Sequence, residues 1–170
     1  MDKKEYTHKD ISEIFLKVYK QLKEKEELLA NLEYMFTQIP LRLKLDNCWE
    51  NEPEEILIQA ISVFYNVFKE DTVEDFKALL DKLDNVYELK NKDYGDSAKL
   101  TYENWGTLSL RIRLSDKIYR ILNIMNTKEQ WVEDESIIDS AEDFINYCIL
   151  YFMYLVEDDL VDIEELFEED

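Results

Sequence analysis

Glycine and proline are scarce, with two of each in 170 residues. A sheet with many tight turns needs more of that punctuation, so the long periodic segments are expected to be helical and the fold all-α. Cysteine is limited to Cys48 and Cys148. Cys148 sits in an apolar segment and Cys48 has no partner motif, so neither reads as catalytic, and the pair agrees with a reducing compartment. The single histidine, His8, lies near the start of the chain and is a weak candidate for a base. No Ser-His-Asp arrangement, Walker loop or zinc spacing is present. The longest nearly unbroken apolar run, 13 residues from Phe144, is too short to cross a bilayer, and MDKKEYTHKD has no apolar signal core. The expectation is a cytoplasmic protein with no membrane partner.

Cations are outnumbered, 20 Lys and Arg against 40 Asp and Glu, for a formal charge of −20. Binding to nucleic-acid backbones depends on clustered cations, so no direct nucleic-acid binding is expected. The charge fits a metal-using enzyme, an acidic mimic of nucleic acid, or simple solubility. With 46% hydrophobic residues the chain can bury one substantial core.

From Asp10 to about Gln38, Ile11, Ile14, Phe15, Val18, Tyr19, Leu22, Leu29, Leu32 and Phe36 recur at three- and four-residue steps. This predicts one long amphipathic helix closed by Pro40, followed by a loop at Asp46–Pro53. A second helix starts near Glu54, and its aromatic stretch Ile56–Phe68 needs a cover. Asp71-Thr72 with Glu74 and Asp75 reads as a break and a new N-cap. The third helix runs to about Lys90, and Asn91–Asn104, around Gly95, reads as a functional loop. A fourth helix spans Gly106 to Met125 and a fifth leads into Phe144–Val156, where Asn146 is the only strongly polar residue. The bundle therefore has about five main helices. Residues 1–70 form a helical extension, 71–157 the core, and 158–170 an acidic tail that forms a short capping helix or frays.

Three stretches carry the chemistry. At 3.6 residues per turn Glu135, Asp139 and Asp143 drift by about 40° per step, so they form one acidic stripe at the entrance of the apolar helix. Arg113, Lys117 and Arg120 form a cationic stripe in so acidic a chain. Facing stripes of this kind hold magnesium on the carboxylates while the cations grip phosphate, or else they are an ion-pair network between helices; spacing alone leaves both open. In the loop, Gly95 supplies a backbone conformation closed to other residues. Either Lys90, Asn91 and Asp93 beside it contact a ligand while Tyr94 stacks on a base, or the segment is a tight turn with Tyr94 plugged into the core.

Taken in order, Lys90-Asn91-Lys92-Asp93-Tyr94-Gly95, Arg113-x-x-Asp116-Lys117-x-x-Arg120 and Asp134-Glu135-Ser136-x-x-Asp139-Ser140-x-x-Asp143-x-x-x-Tyr147 resemble the nucleotide modification associated domain type 1. The resemblance covers roughly Phe76 to Tyr154. That family is similar to the all-α NTP pyrophosphohydrolases, which include the MazG and dimeric dUTPase groups, and it is frequent in bacteriophages and bacteria. The resemblance implies a helical bundle, magnesium-dependent handling of a nucleoside triphosphate, homodimers, and a bacterial or phage-infected cytoplasm. Those hydrolases hold metal with an E-x-x-E pair on one helix and an E-x-x-D pair on a later one. Here Glu135, Asp139 and Asp143 fit the later helix in looser form. The earlier slot departs from the pattern: it reads Asp116-Lys117-Ile118-Tyr119-Arg120, and Asp93 is the candidate to complete the metal set.

The leading expectation is an Mg2+-dependent pyrophosphohydrolase acting on a nucleotide or modified nucleotide. Glu135 and Asp139 would be catalytic, and Glu135, Asp139, Asp143 and Asp93 would hold the metal. Lys90, Arg113, Lys117 and Arg120 would neutralise phosphate, and Asn91, Asp93 and Tyr94 would complete substrate binding. The alternatives are a nucleotide-binding module without catalysis and an acidic, phage-type protein that mimics nucleic acid.

Overall fold

The computed structural model describes residues 5–45, 48–131 and 136–166, with no strand among them. In chain order the helical segments are α1 (His8–Glu24), α2 (Glu26–Lys44), α3 (Cys48–Asn51), α4 (Glu54–Val67), α5 (Val73–Tyr94), α6 (Ser97–Trp105), α7 (Thr107–Thr127), α8 (Ile137–Glu157) and α9 (Ile163–Leu166). The chain is all-α, as its composition predicts, but with more helices than the five expected.

Local chemistry explains where the helices begin and end. Thr7, Thr72 and Ser136 each accept a hydrogen bond from the backbone N–H three residues on, and Asp10, Asp75 and Asp139 accept one from the cap N–H in return. These capping boxes open α1, α5 and α8. The predicted break at Asp71-Thr72 is therefore real. The single helix expected over 10–38 is two, with the chain turning at Lys25 (φ −112°, ψ 84°). Residues 23–27, Lys-Glu-Lys-Glu-Glu, offer no apolar side chain to hold a straight rod on the core, and the turn folds α2 back beside α1. Pro40 does not close its helix either. Alpha2 continues to Lys44, because Ile39 and Leu43 on either side of the proline are both buried in the core.

The region read as a functional loop is almost entirely helical. Alpha5 runs on to Tyr94 and α6 starts at Ser97, leaving only Gly95 and Asp96 between them. Gly95 has φ 60° and ψ −156°, a region essentially reserved for glycine, as expected from the sequence. In the loop predicted at 46–53, residues 46 and 47 lie outside the described residues. Trp49 of α3 is core, 2% exposed and 5.8 Å from the Tyr151 ring. The tail contributes the short α9, whose Ile163 and Leu166 pack against the core; Phe167 lies outside the described residues.

Alpha8 is the axis. From Cys148 to Val156 every residue is buried, and α1, α4, α5 and α7 all pack on it. The aromatic helix α4 is covered by α8 on one side and α2 on the other. Its Ile56, Ala60, Ile61 and Val63 are fully buried. The described residues before 71 thus share one core with the rest. Alpha5 runs antiparallel to α1, with Tyr19 packed on Phe76 at 4.9 Å and its hydroxyl donating to the carbonyl of Asp71. Arg42 ties α2 to α4 through two 2.6 Å hydrogen bonds to Glu55.

Two predictions follow from this packing. A proline inside a helix lacks a donor and crowds the preceding turn. Pro40→Ala should therefore raise stability by about 1–3 kcal/mol, seen as a higher urea midpoint at unchanged slope. A lower midpoint would mean that ring packing outweighs the missing hydrogen bond. Burial by itself would raise the Glu55 carboxyl, but the Arg42 guanidinium outweighs it and holds the group below its ordinary 4.5. Its stabilising contribution is complete above that value and is lost as pH falls through the lowered one. Glu55→Gln should flatten the acid limb of a stability-against-pH curve, and an unchanged limb would contradict the pairing.

Candidate functional site

The cationic stripe lies on α7, which packs antiparallel to α8, so its members meet α8 in reverse order. Arg120 donates to the Ser136 carbonyl at 3.0 Å and to the Ser140 hydroxyl at 2.5 Å. One turn earlier, the Lys117 ammonium stands 2.9 Å from the Asp143 carboxylate. Next, Arg113 donates to the Tyr147 hydroxyl at 3.0 Å, with its guanidinium 5.5 Å from the ring centre. The order 120, 117, 113 against 140, 143, 147 is the register of two helices packed side by side. The two stripes do face each other, and within the described residues they form an interhelical network.

These contacts differ in strength. Arg120 reaches across the first turn of α8, where it bonds one backbone carbonyl and a buried serine. Lys117 and Asp143 are 33% and 42% exposed, and such half-solvated pairs contribute about 1 kcal/mol or less. An anion arriving from solvent would displace that pair most easily.

The predicted metal ligands are placed as follows. Glu135 lies outside the described residues, as does Asp134; α8 begins after the Ser136 cap. Asp139 is committed to the capping box. Its carboxylate accepts from the Ser136 amide at 2.8 Å, and the Ser136 amide and hydroxyl hold its pKa below the ordinary carboxylate value. Asp143 is paired with Lys117, and Asp93 is exposed in the last turn of α5. Among the described residues no group of three or more His, Cys, Asp or Glu side chains is placed to hold a metal ion, so Asp93, Asp139 and Asp143 alone do not fit Mg2+. Lys90 and Asp93 are exposed and Asn91 half-buried in the same final turn. Tyr94 is 72% exposed, so it does not plug the core.

Residues 90–155 match the model of a known family, described as nucleotide modification associated domain 1. This segment takes in the last turn of α5, all of α6 and α7, and α8 to Leu155. It includes all three motifs quoted above and starts later than the Phe76 expected from them. No curated protein and no solved structure matches the chain.

One polar cluster escaped sequence reasoning. His8 is not at a loose end: it is 4% exposed, on the first turn of α1. Its Nδ1 is hydrogen-bonded to the Asp84 carboxylate of α5, and its Nε2 lies 2.7 Å from the Asn146 Oδ1 of α8. The ring stacks on Tyr87 at 4.5 Å, and the Ser12 hydroxyl donates to the same Asp84 oxygen at 2.6 Å. The signal was present in two places. Thr7-x-x-Asp10 is a capping box that puts His8 on a helix, and a lone Asn146 in an apolar run demands a buried partner. With both ring nitrogens engaged, His8 pins three helices together and is not free to act as a base.

Removing this pin leaves the largely buried Asp84 carboxylate with the Ser12 hydroxyl alone and takes the ring contact from the Asn146 amide. His8→Ala should destabilise the chain by about 3 kcal/mol, measured by urea unfolding at neutral pH. A loss well below 1 kcal/mol would show that solvent already reaches the cluster.

Proposed function

We propose that the α7–α8 face binds the phosphates of a nucleotide or modified nucleotide. The observation that carries this reading is the alignment of Arg113, Lys117 and Arg120 along one side of α7, inside the segment that matches the nucleotide modification associated domain. Planar guanidinium groups suit phosphate oxygens, and Lys117 is a mobile point charge that its half-exposed partner releases at little cost. Lys90 would add to the phosphate contacts, and Asn91 and Tyr94 would serve the sugar or base in this reading.

A second reading, Mg2+-dependent pyrophosphohydrolysis of a nucleoside triphosphate, draws on the resemblance to the all-α NTP pyrophosphohydrolases. It is supported by the carboxylate Asp143 standing beside Lys117 on the same face. Magnesium would supply charge neutralisation and an activated water, but the described carboxylates form no ligand group, so no step is derived through it. Binding without cleavage therefore stands first. Glu135 is the residue on which the hydrolase reading turns.

The test is a panel of ribo- and deoxynucleoside triphosphates, with equilibrium binding and product release followed in parallel, with and without a chelator. Binding without product is the expected result, weakened about tenfold by Lys117→Met or Arg113→Met. Release of monophosphate and pyrophosphate that is lost with chelator or in Glu135→Gln would establish the hydrolase instead. Neither binding nor turnover with canonical or modified nucleotides, together with salt-sensitive capture of a basic protein, would overturn both in favour of nucleic-acid mimicry.

A further inference from the structure

A groove of about 1010 Å3 runs between α1, α5 and the C-terminal end of α8, away from the cationic stripe. Its floor is apolar, formed in part by Leu80 and Met153, which are both buried. Its rim is acidic. Asp81, Asp84 and Glu88 follow one another on one face of α5, and Asp96 and Glu157 close the far end.

Some of these carboxylates are already matched. Lys77 lies 3.0 Å from Asp81, Lys99 lies 3.6 Å from Glu157, and Asp84 holds His8. Among the described residues the Glu88 side chain makes no ion pair or hydrogen bond, and the Asp96 side chain, although at the N-cap of α6, makes no cap hydrogen bond. An acidic rim is unremarkable in a chain of net charge −20. Tyr154 is different. It is 1% exposed, it lines the far end of the groove, and its hydroxyl has no hydrogen-bond partner. A buried hydroxyl left in that condition is costly. Burial first, then the neighbouring Tyr87, Asp96 and Glu157, push its ionisation upward, so it stays a neutral hydroxyl able to accept a hydrogen bond.

The groups left over are thus acceptors set beside an apolar floor. An anion would be repelled there. A compact metal ion lacks a ligand set, since no group of three or more His, Cys, Asp or Glu among the described residues is placed to share one. Ammonium groups separated by methylenes meet both demands, because each offers three donors and no acceptor. We propose that this groove binds an aliphatic polyamine, its amines pairing with Glu88 and Asp96 and bonding the Tyr154 hydroxyl, its methylenes lying over Leu80 and Met153.

The test is calorimetric titration of the full chain with spermidine at fixed ionic strength. One molecule should bind per chain. Tyr154→Phe should weaken binding about tenfold, as should the double change Glu88→Gln with Asp96→Asn, through loss of charge-assisted hydrogen bonds. Glu164→Gln with Glu165→Gln on α9, which removes the same charge elsewhere, should leave binding unchanged. Without spermidine, Tyr154→Phe should unfold at the same or a higher temperature, since it removes an unpartnered group, so a loss of binding would not be a loss of fold. Absence of binding, or binding of several molecules equally weakened by either double change, would overturn the proposal and reduce the effect to counterions around an acidic protein.

Discussion

Everything in this fold depends on covering α8. A helix whose residues from Cys148 to Val156 are all buried gains about 1.5–3 kcal/mol for each large apolar side chain removed from water, but only if neighbours stand on every side. Alpha7 supplies one wall, α4 a second, and α1 and α5 the rest. Phe15 of α1 packs edge-on to Phe152, and Trp49 of α3 lies against Tyr151. The segment that matches the nucleotide modification associated domain contains most of α8 but only one of its principal walls. The N-terminal helices finish a core that the matched segment begins.

Burial of that helix also disciplines its polar residues, each of which needs a partner from a specific neighbour. Ser140 answers Arg120, Asp143 answers Lys117, Asn146 answers His8 and Tyr147 answers Arg113. One set orients α7 and the other locks α1 and α5 in place. The candidate phosphate site and the bundle's internal bracing are therefore built from the same side chains. A ligand on the α7–α8 face would exchange bracing contacts for its own, and the half-solvated Lys117–Asp143 pair is where that exchange costs least. Tyr154 is the exception on this helix, and its unpartnered hydroxyl directs attention to the groove at the C-terminal end of α8.

Much of the local structure was legible because it is written in short-range chemistry. The cap at Thr72, the start of α4 near Glu54, the span of α7 and the special backbone of Gly95 all follow from residues within a few positions of one another. The errors occurred where long-range packing overrode local signals. Ile39 and Leu43 held α2 together across Pro40, the expected first helix broke at Lys25, and the apparent loop after Asn91 folded into the end of α5 and α6. The acidic stripe was legible only in part. Its helical spacing holds for Asp139 and Asp143, but Asp139 belongs to a cap, and Glu135 lies outside the described residues.

The sequence by itself determined an all-α chain, the cap at Thr72, the approximate spans of α4, α5 and α7, the central role of the apolar run from Phe144, and the three motifs that lie within the matched residues 90–155. Only the tertiary structure decided which charges meet: that Arg113, Lys117 and Arg120 are braced by α8, that His8 is a buried pin, and that Tyr154 lacks a partner beside an acidic groove. The reason is physical. Helix periodicity and capping depend on neighbours along the chain, whereas pairing and burial of polar groups depend on residues brought together from as far apart as His8 and Asn146.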